Sequence, residues 1–173
     1  MKIRASIHLG EKFSQLNLFP VLQETIDHLV LKLSACLFYS TYEPTLDATI
    51  NNPALQGQEF VPDLLATDVG GTLTLWVECG KTTLHKLSKV SRRFHRARIV
   101  MLTALPREAE QMAEGVRDED IKRIEIWTFA WGEYDRWKSL VGERNTIIGE
   151  ASESALNLVI NDQPFVTELQ RVL

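Results

Sequence analysis

The sequence predicts an α/β fold in which a mixed β-sheet is flanked by helices. The chain has 173 residues, of which 45% are hydrophobic, so it can bury one sizeable core. Segments whose apolar residues have helical spacing alternate with segments whose apolar residues have strand-like spacing. One strand-helix-strand succession has the length of a right-handed parallel crossover. No repeat, low-complexity tract or linker divides the chain, so we expect one domain over residues 1–173.

The amino-terminal part is predicted to contain a strand and a long helix. Residues 1–10 alternate between apolar and polar side chains, as a half-buried strand does. Pro20 stands where a helix can begin, because the first helical residue needs no hydrogen-bonded N–H. We expect this helix over residues 20–39. Its core-facing stripe is Leu22, Ile26, Leu29, Val30, Leu33 and Leu37.

A β-hairpin and a crossover helix are predicted next. The strands at residues 59–69 and 72–79 are joined at Gly70-Gly71, a pair suited to a two-residue turn with positive φ. A helix is expected over residues 83–95, followed by a buried strand at residues 97–103. The apolar stripe of this helix is Leu84, Leu87, Val90 and Phe94.

The remaining residues predict two further helices, one strand and a closing hairpin. Pro106 is expected to start the first of these helices. The predicted order is a helix at 106–116, a strand at 124–129, a short helix at 133–141, and a C-terminal β-hairpin formed by 145–151 and 155–161.

The composition excludes several classes of protein and site. Residues 1–10 lack the apolar core and cleavage site of a secretory signal. Lys32 interrupts the best candidate for a membrane span. Cys36 and Cys79 lie in no C-x-x-C pattern and the four histidines are scattered, which argues against a disulfide framework or a zinc site. We therefore expect a cytoplasmic protein without a membrane partner.

Basic residues are concentrated in one acid-free segment, although the net charge of the chain is -4. Residues 79–107 contain eight basic side chains and no acid, so the other 144 residues carry a charge of -12. Such a segment is able to contact phosphate, or it forms a solvated helix face balanced by neighbouring acids. The eight residues are Lys81, Lys86, Lys89, Arg92, Arg93, Arg96, Arg98 and Arg107.

Two acids are predicted to face each other across the hairpin. With Gly70-Gly71 as the loop, partners have numbers that sum to 141, and Asp63 and Glu78 meet this condition. Their Cβ atoms should lie about 4.5 to 5.5 Å apart, where like charges repel unless a cation lies between or beside them. Mg²⁺ prefers carboxylate, carbonyl, water and phosphate oxygens, so it suits this pair. The alternative is two acids at an open sheet end, offset by Lys81 or an arginine.

The segment Gly80-Lys81-Thr82 lies between a strand and a helix, as the end of a phosphate-binding P-loop does. That motif also requires a glycine at position 75, where this chain has Leu75 within a predicted strand. We therefore do not expect nucleoside triphosphate binding.

Several segments resemble the YaeQ family of bacterial proteins over most of the chain. They are Glu24-Thr25 with the following LVLKLSACLFY, the hairpin with its LWVECG, the basic helix, and the strand IEIWTF. The most specific segment runs from Leu75 to Gly80. The resemblance implies a restriction-endonuclease-like core of the PD-(D/E)XK superfamily, which consists of a helix, a hairpin, a crossover helix and a further strand.

The resemblance also implies a set of site residues. Asp63, after Pro62, corresponds to the first acid of the motif and Glu78 to the second. In the superfamily both acids bind Mg²⁺, and the backbone carbonyl of the following residue, Cys79 here, assists. Glu24 matches an acid that some members use, although its helical position lies away from the core stripe and favours a solvated first-turn acid.

The lysine of the motif departs from the pattern. In D/E-x-K the lysine lies two residues after the acid and shares its strand face, whereas Lys81 lies three residues after Glu78. A bulge at Gly80 would return Lys81 to that face. Otherwise the lysine has moved to the following helix, where Lys86 and Lys89 are candidates. We rank Lys81 first and retain Lys89 beside it as a catalytic candidate.

Two functions follow as hypotheses, because a fold alone does not determine activity. The first is a hydrolase, a nuclease that uses Mg²⁺ or Mn²⁺ to cleave the phosphodiester bonds of nucleic acid. The second is a non-catalytic module that binds nucleic acid or a protein on the same scaffold. The residues predicted to contact nucleic acid are Lys86, Lys89, Arg93 and Arg96.

Overall fold

The computed structural model describes residues 2–21 and 23–173, and over these residues the chain forms four α-helices and eleven strands. The helices are α1 (Ile26–Phe38), α2 (Leu84–Arg93), α3 (Pro106–Asp118) and α4 (Glu133–Leu140). The strands are β1 (Ile3–Leu9), β2 (Lys12–Leu18), β3 (Thr45–Leu46), β4 (Leu64–Thr67), β5 (Leu73–Cys79), β6 (Arg98–Thr103), β7 (Ile124–Thr128), β8 (Arg144–Ala151), β9 (Ala155–Ile160), β10 (Gln163–Glu168) and β11 (Gln170–Arg171). None of the helices described combines the length and apolar character that a membrane crossing requires.

The strands form two mixed sheets. The first has the order β10-β9-β8-β1-β2, with β1 parallel to β8 and antiparallel to β2. The second has the order β11-β7-β6-β5-β4-β3. In it β4 and β5 are antiparallel, whereas β5, β6 and β7 are parallel and are connected through α2 and α3. The predicted α/β class, hairpin and parallel crossover are confirmed, whereas the single mixed sheet that the sequence predicts is wrong, because the strands form two sheets.

Helix α1 lies between the two sheets. Its side chains share one hydrophobic cluster with residues of both, such as Ile147 of the first sheet and Val77 of the second. Burial on several sides explains why α1 carries a nearly continuous apolar run instead of a narrow stripe. Helices α2 and α3 cover the other face of the second sheet, where Leu87 and Val90 pack with Trp76.

The first helix begins later than the sequence predicts. Thr25 caps α1 by accepting a hydrogen bond from the His28 N–H at 3.2 Å, so the predicted start at Pro20 is wrong. Before the cap, Gln23 has a φ of 70° and the Glu24 N–H donates to the Val21 carbonyl, which makes a turn instead of a first helical turn. Leu22, predicted to lie on the core stripe, is outside the described residues.

The turn between β4 and β5 is longer than the predicted two-residue loop. Thr67 pairs with Leu73, and the Asp68 carboxylate accepts the N–H groups of Gly70 and Thr72, each at 2.9 Å. This side chain stabilises the wider turn. The register shifts between Ala66 and Thr67, so that Leu64 and Leu65, further from the turn, have the predicted partners.

Two strands of the first sheet were not predicted. β2 follows β1 through a tight turn, and β10 follows β9 through Asn161 and Asp162, whose φ values are 50° and 67°. The predicted C-terminal hairpin is therefore present as β8 and β9, and it continues into a third antiparallel strand.

Candidate active site

The hairpin register brings Asp63 and Glu78 to the same end of the second sheet. Leu64 pairs with Val77 and Leu65 with Trp76, as predicted. One residue before β4, the Asp63 N–H donates to the Val77 carbonyl at 3.0 Å. Both acids therefore lie where parallel strand β5 ends, which is the edge at which α/β sheets place functional residues.

The Asp63 side chain is held by groups from α1 and from β5. One carboxylate oxygen accepts the Cys79 N–H at 2.8 Å, and the other lies 3.0 Å from Nε2 of His28. Burial acts to raise the pKa of Asp63, but the hydrogen bond and charge of His28, the Cys79 N–H and the charge of Lys32 together outweigh burial, and the pKa is lowered. Asp63 is therefore ionised at neutral pH.

His28 connects Asp63 to Glu24. Its Nδ1 atom lies 2.8 Å from the Glu24 carboxylate while its Nε2 atom faces Asp63, so each ring nitrogen has an acidic partner. The hydrogen bond to Asp63 raises the pKa of His28 against the opposing effect of burial. This arrangement favours the imidazolium form, in which both nitrogens donate.

Glu24 is buried, which corrects the prediction of a solvated acid. Its side chain is 2% exposed and accepts Lys32 Nζ at 2.9 Å. Lys32 is equally buried and also pairs with Asp47. Burial acts to lower the pKa of Lys32, but its hydrogen bonds to Asp47 and Glu24 raise it. The result is a chain of alternating charges that leads from Asp47 to Asp63 through α1.

Glu78 faces α2, on the side of the sheet away from α1, whereas the Asp63 carboxylate is held from the side of α1. The prediction that the two side chains face each other across the hairpin is therefore wrong, because Asp63 precedes β4 and its carboxylate turns to accept the Cys79 N–H. Its carboxylate accepts Trp76 Nε1 at 2.6 Å and Lys86 Nζ at 2.8 Å. Burial raises the pKa of Glu78 to about 6, although Lys86 acts in the opposite direction. The charge of Asp63 contributes to this increase, so the two carboxylates are within electrostatic range although their hydrogen-bond partners differ.

The raised pKa of Glu78 predicts a pH-dependent contribution to stability. The folded state favours the protonated acid, so this contribution is complete below the ordinary pKa of 4.5 and is lost as the pH rises through about 6. Between pH 4.5 and 7.5 the unfolding free energy of the wild type should fall by about 2 kcal/mol more than that of Glu78→Gln. Urea unfolding at the two pH values measures this, and equal changes in both proteins would contradict it.

The structure separates the basic residues that the sequence grouped together. Lys86 contacts Glu78 and also donates to the Val61 carbonyl at 2.9 Å. Lys89 is exposed and pairs with Glu59 at 2.5 Å, while Lys81 is exposed and lines a cavity of about 550 Å³ beside Glu24 and His28. Among the described lysines, Lys86 is the one that contacts a predicted acid of the motif.

The arginines of the basic segment lie elsewhere. Arg93 and Arg96 are exposed, and Arg93 donates to the Gln56 carbonyl. Arg98 pairs with Glu125 at 2.8 Å and with Glu153. The basic segment is therefore divided among the acid site, an exposed end of α2 and a separate ion-pair cluster.

The donor set suits a hard divalent cation only if side chains move. Asp63 and Glu78 offer carboxylate oxygens, which Mg²⁺ prefers. Burial raises the pKa of the Cys79 thiol well above its usual value, so this residue would contribute through its carbonyl, as predicted, and not as a thiolate. Within residues 2–21 and 23–173, no three His, Cys, Asp or Glu side chains already form a metal-binding group. A cation bound by both acids would compete with His28 and Lys86.

Sequence reasoning did not identify His28, Lys32 or Asp47 as part of this site. Glu24, His28 and Lys32 are spaced by four residues, which would place their side chains on one face of the helix predicted over residues 20–39. That spacing was the available signal, whereas the contact with Asp63 depends on how α1 packs between the sheets.

Comparisons with known proteins agree with this architecture. The chain is similar to the crystal structure of YaeQ protein from Xanthomonas axonopodis pv. citri, with a TM-score of 0.72 and 14% identity over 99% of this chain and 97% of that chain. The crystal structure of YaeQ protein from Pseudomonas syringae gives a TM-score of 0.71 and 13% identity over 99% of this chain and 94% of that chain. At this identity the likeness shows the fold alone.

Curated proteins gave no match to the chain. The model of one protein family, described as YaeQ protein, matches residues 23–168. This match includes Glu24, the hairpin with both acids, α2 and the strands β6 to β10. The chain belongs to the YaeQ family.

Proposed function

We propose that the chain is a Mg²⁺-dependent phosphodiesterase that acts on nucleic acid. The observation that carries this proposal is the placement of Asp63 and Glu78 at one end of the hairpin, with Lys86 against Glu78. This group corresponds to two acids and a lysine of a PD-(D/E)XK site. The lysine comes from α2 instead of the strand.

The order of the elements supports the same proposal. Helix α1 is followed by the antiparallel strands β4 and β5, then by α2, and then by β6 parallel to β5. The same succession defines the PD-(D/E)XK core. The first sheet and α4 lie outside this succession.

In the proposed mechanism Asp63 and Glu78, together with the carbonyl of Cys79, would hold Mg²⁺. When bound, Mg²⁺ would supply a Lewis acid able to polarise a phosphoryl oxygen and to lower the pKa of a water molecule. Lys86 orients the attacking water and stabilises developing negative charge, because the Val61 carbonyl holds its ammonium group beside Glu78. His28 holds Asp63 in position from the side of α1.

The test is cleavage of single-stranded and duplex DNA and RNA in Mg²⁺ or Mn²⁺, with a chelator as the blank. Turnover that needs the metal and is lost in Asp63→Asn supports the proposal. Absence of turnover across all these substrates, or turnover unchanged in Asp63→Asn, would refute it. A crystal soaked in Mn²⁺ provides a second readout, because the ion should lie between Asp63 and Glu78.

A separate prediction concerns which lysine takes part in cleavage. Lys86→Met should reduce metal-dependent cleavage by about 10²- to 10⁴-fold, the range for a positioned proton-transfer or orienting group. Lys89→Met is the matched control, since Lys89 lies on the same helix but pairs with exposed Glu59. At saturating Mg²⁺, the cleavage rate of Lys89→Met should stay within about twofold of the wild-type rate. A larger loss in Lys89→Met than in Lys86→Met would reverse the assignment.

A non-catalytic binding role is the second candidate. Each carboxylate of the site already has a cationic protein partner, His28 for Asp63 and Lys86 for Glu78, as expected of a scaffold without chemistry. Exposed Arg93 and Arg96 would then contact nucleic acid or an acidic protein. Salt-sensitive binding without turnover, weakened in the Arg93→Ala/Arg96→Ala double variant, would favour this function.

A further inference from the structure

The first sheet ends at β2, and in residues 2–21 and 23–173 no strand pairs with the backbone groups on the outer edge of β2. In β1, the Arg4 N–H donates to the Glu143 carbonyl, and just after this strand the Gly10 N–H donates to the Gly149 carbonyl. Even-numbered residues of β1 therefore direct their backbone toward β8. In an antiparallel ladder their partners on β2 direct their N–H and carbonyl groups away from β1. These outward-facing residues are Phe13, Gln15 and Asn17.

The other sheet edges in the described residues carry protective features that β2 lacks. β10 contains Pro164, which has no N–H, and ends at Glu168, while β3 and β11 are two residues long. Native proteins protect edges with proline, charge, bulges or short strands, because an open edge recruits another chain. β2 has seven residues, pairs with β1 in an unbroken register, and carries one charged residue, Lys12, at its start.

We propose that β2 pairs antiparallel with β2 of a second copy of this chain, with the two-fold axis at Gln15. The two five-stranded sheets then join into one continuous sheet. In this register Gln15 faces Gln15, Ser14 faces Leu16, Phe13 faces Asn17 and Lys12 faces Leu18. No like charges oppose each other, and each copy uses the same surface, as a two-fold interface requires.

The apolar surface on both sides of this edge favours the same partner. A cavity of about 870 Å³ lies between the β1–β2 hairpin and the end of α1, and Leu16 and Ser14 border it. The second copy's Leu16 stands opposite Ser14, on the face that borders this cavity. On the opposite face Phe13 is 57% exposed, and its ring lies 4.6 Å from that of His8. The second copy's Asn17 would cover part of Phe13.

Sedimentation velocity over a range of protein concentrations tests the proposal. The wild type should dimerise reversibly, and Gln15→Pro should raise the dissociation constant about tenfold or more, because it removes the hydrogen bonds at the two-fold axis. Proline is tolerated at this position because the Gln15 N–H faces away from β1, and circular dichroism checks that the fold is kept. Gln163→Lys on β10, the opposite edge, should leave the dissociation constant unchanged.

A charge exchange separates self-pairing from other modes of association. Gln15→Lys and Gln15→Glu each place like charges on the two-fold axis and should each weaken the dimer about two- to fivefold. An equimolar mixture of the two variants should restore the wild-type affinity, since opposite charges then face each other. A wild type that remains monomeric at all concentrations, or a dimer that is unchanged in Gln15→Pro, would overturn the proposal.

Discussion

Replacing Asp63 by Asn is expected to lower metal-dependent cleavage by about 10³-fold, a loss of about 4 kcal/mol of transition-state stabilisation. The amide oxygen still accepts the Cys79 N–H, so the local fold should persist. The amide carries no charge, however, and therefore cannot balance a divalent cation or pair with the His28 imidazolium. Single-turnover rates and Mn²⁺ affinity should decrease together.

Asp47→Asn is the matched control for this variant. Asp47 belongs to the same chain of charges but contacts Lys32 instead of the proposed metal site, and its side chain is 45% exposed. We expect its cleavage rate to stay within a few-fold of wild type. If Asp47→Asn and Asp63→Asn lost activity equally, the effect would come from the charge network as a whole and not from a metal ligand.

The location of the two acids at one end of the hairpin was predictable from the sequence because strand pairing imposes a period of two. The direction of their side chains was not, because Asp63 lies before β4 and turns toward α1. The predicted turn was wrong, yet the register at Leu64 and Val77 was right, since the irregularity after Ala66 compensates for the longer loop. Hydrophobic pattern therefore determined the pairing more strongly than the turn residues did. β2 and β10 were missed because their weakly alternating, partly polar sequences resemble loops.

The partners of the acids were not predictable in the same way. Lys86 and Lys89 lie on one helix within three residues, and a projection of that helix does not say which one reaches β5. The contact between Lys86 and Glu78 depends on how α2 packs across the sheet. His28 reaches Asp63 because α1 lies between two sheets, and the local sequence pattern does not show this arrangement. The sequence pattern predicts which side chains share one face of a helix, whereas tertiary packing decides which residues that face contacts.

Replacing Lys32 by Met is expected to produce the largest loss of stability, about 3–5 kcal/mol. Methionine fills a similar volume, but it leaves the Asp47 carboxylate without a cation and leaves the Glu24 carboxylate, which is 2% exposed, with His28 as its remaining cationic partner. Chemical denaturation at pH 7 measures the change. Lys89→Met is again the control, because an exposed ion pair contributes about 1 kcal/mol or less.

A triple variant distinguishes the physical cause of this loss. If the cost in Lys32→Met arises from uncompensated charge, adding Glu24→Gln and Asp47→Asn should recover much of the stability, since neutral amides need no cation. If it arises from lost packing between the sheets, the added changes should recover none of it. The first outcome is expected because Lys32 lies within the apolar run of α1, where an unpaired carboxylate has little access to water.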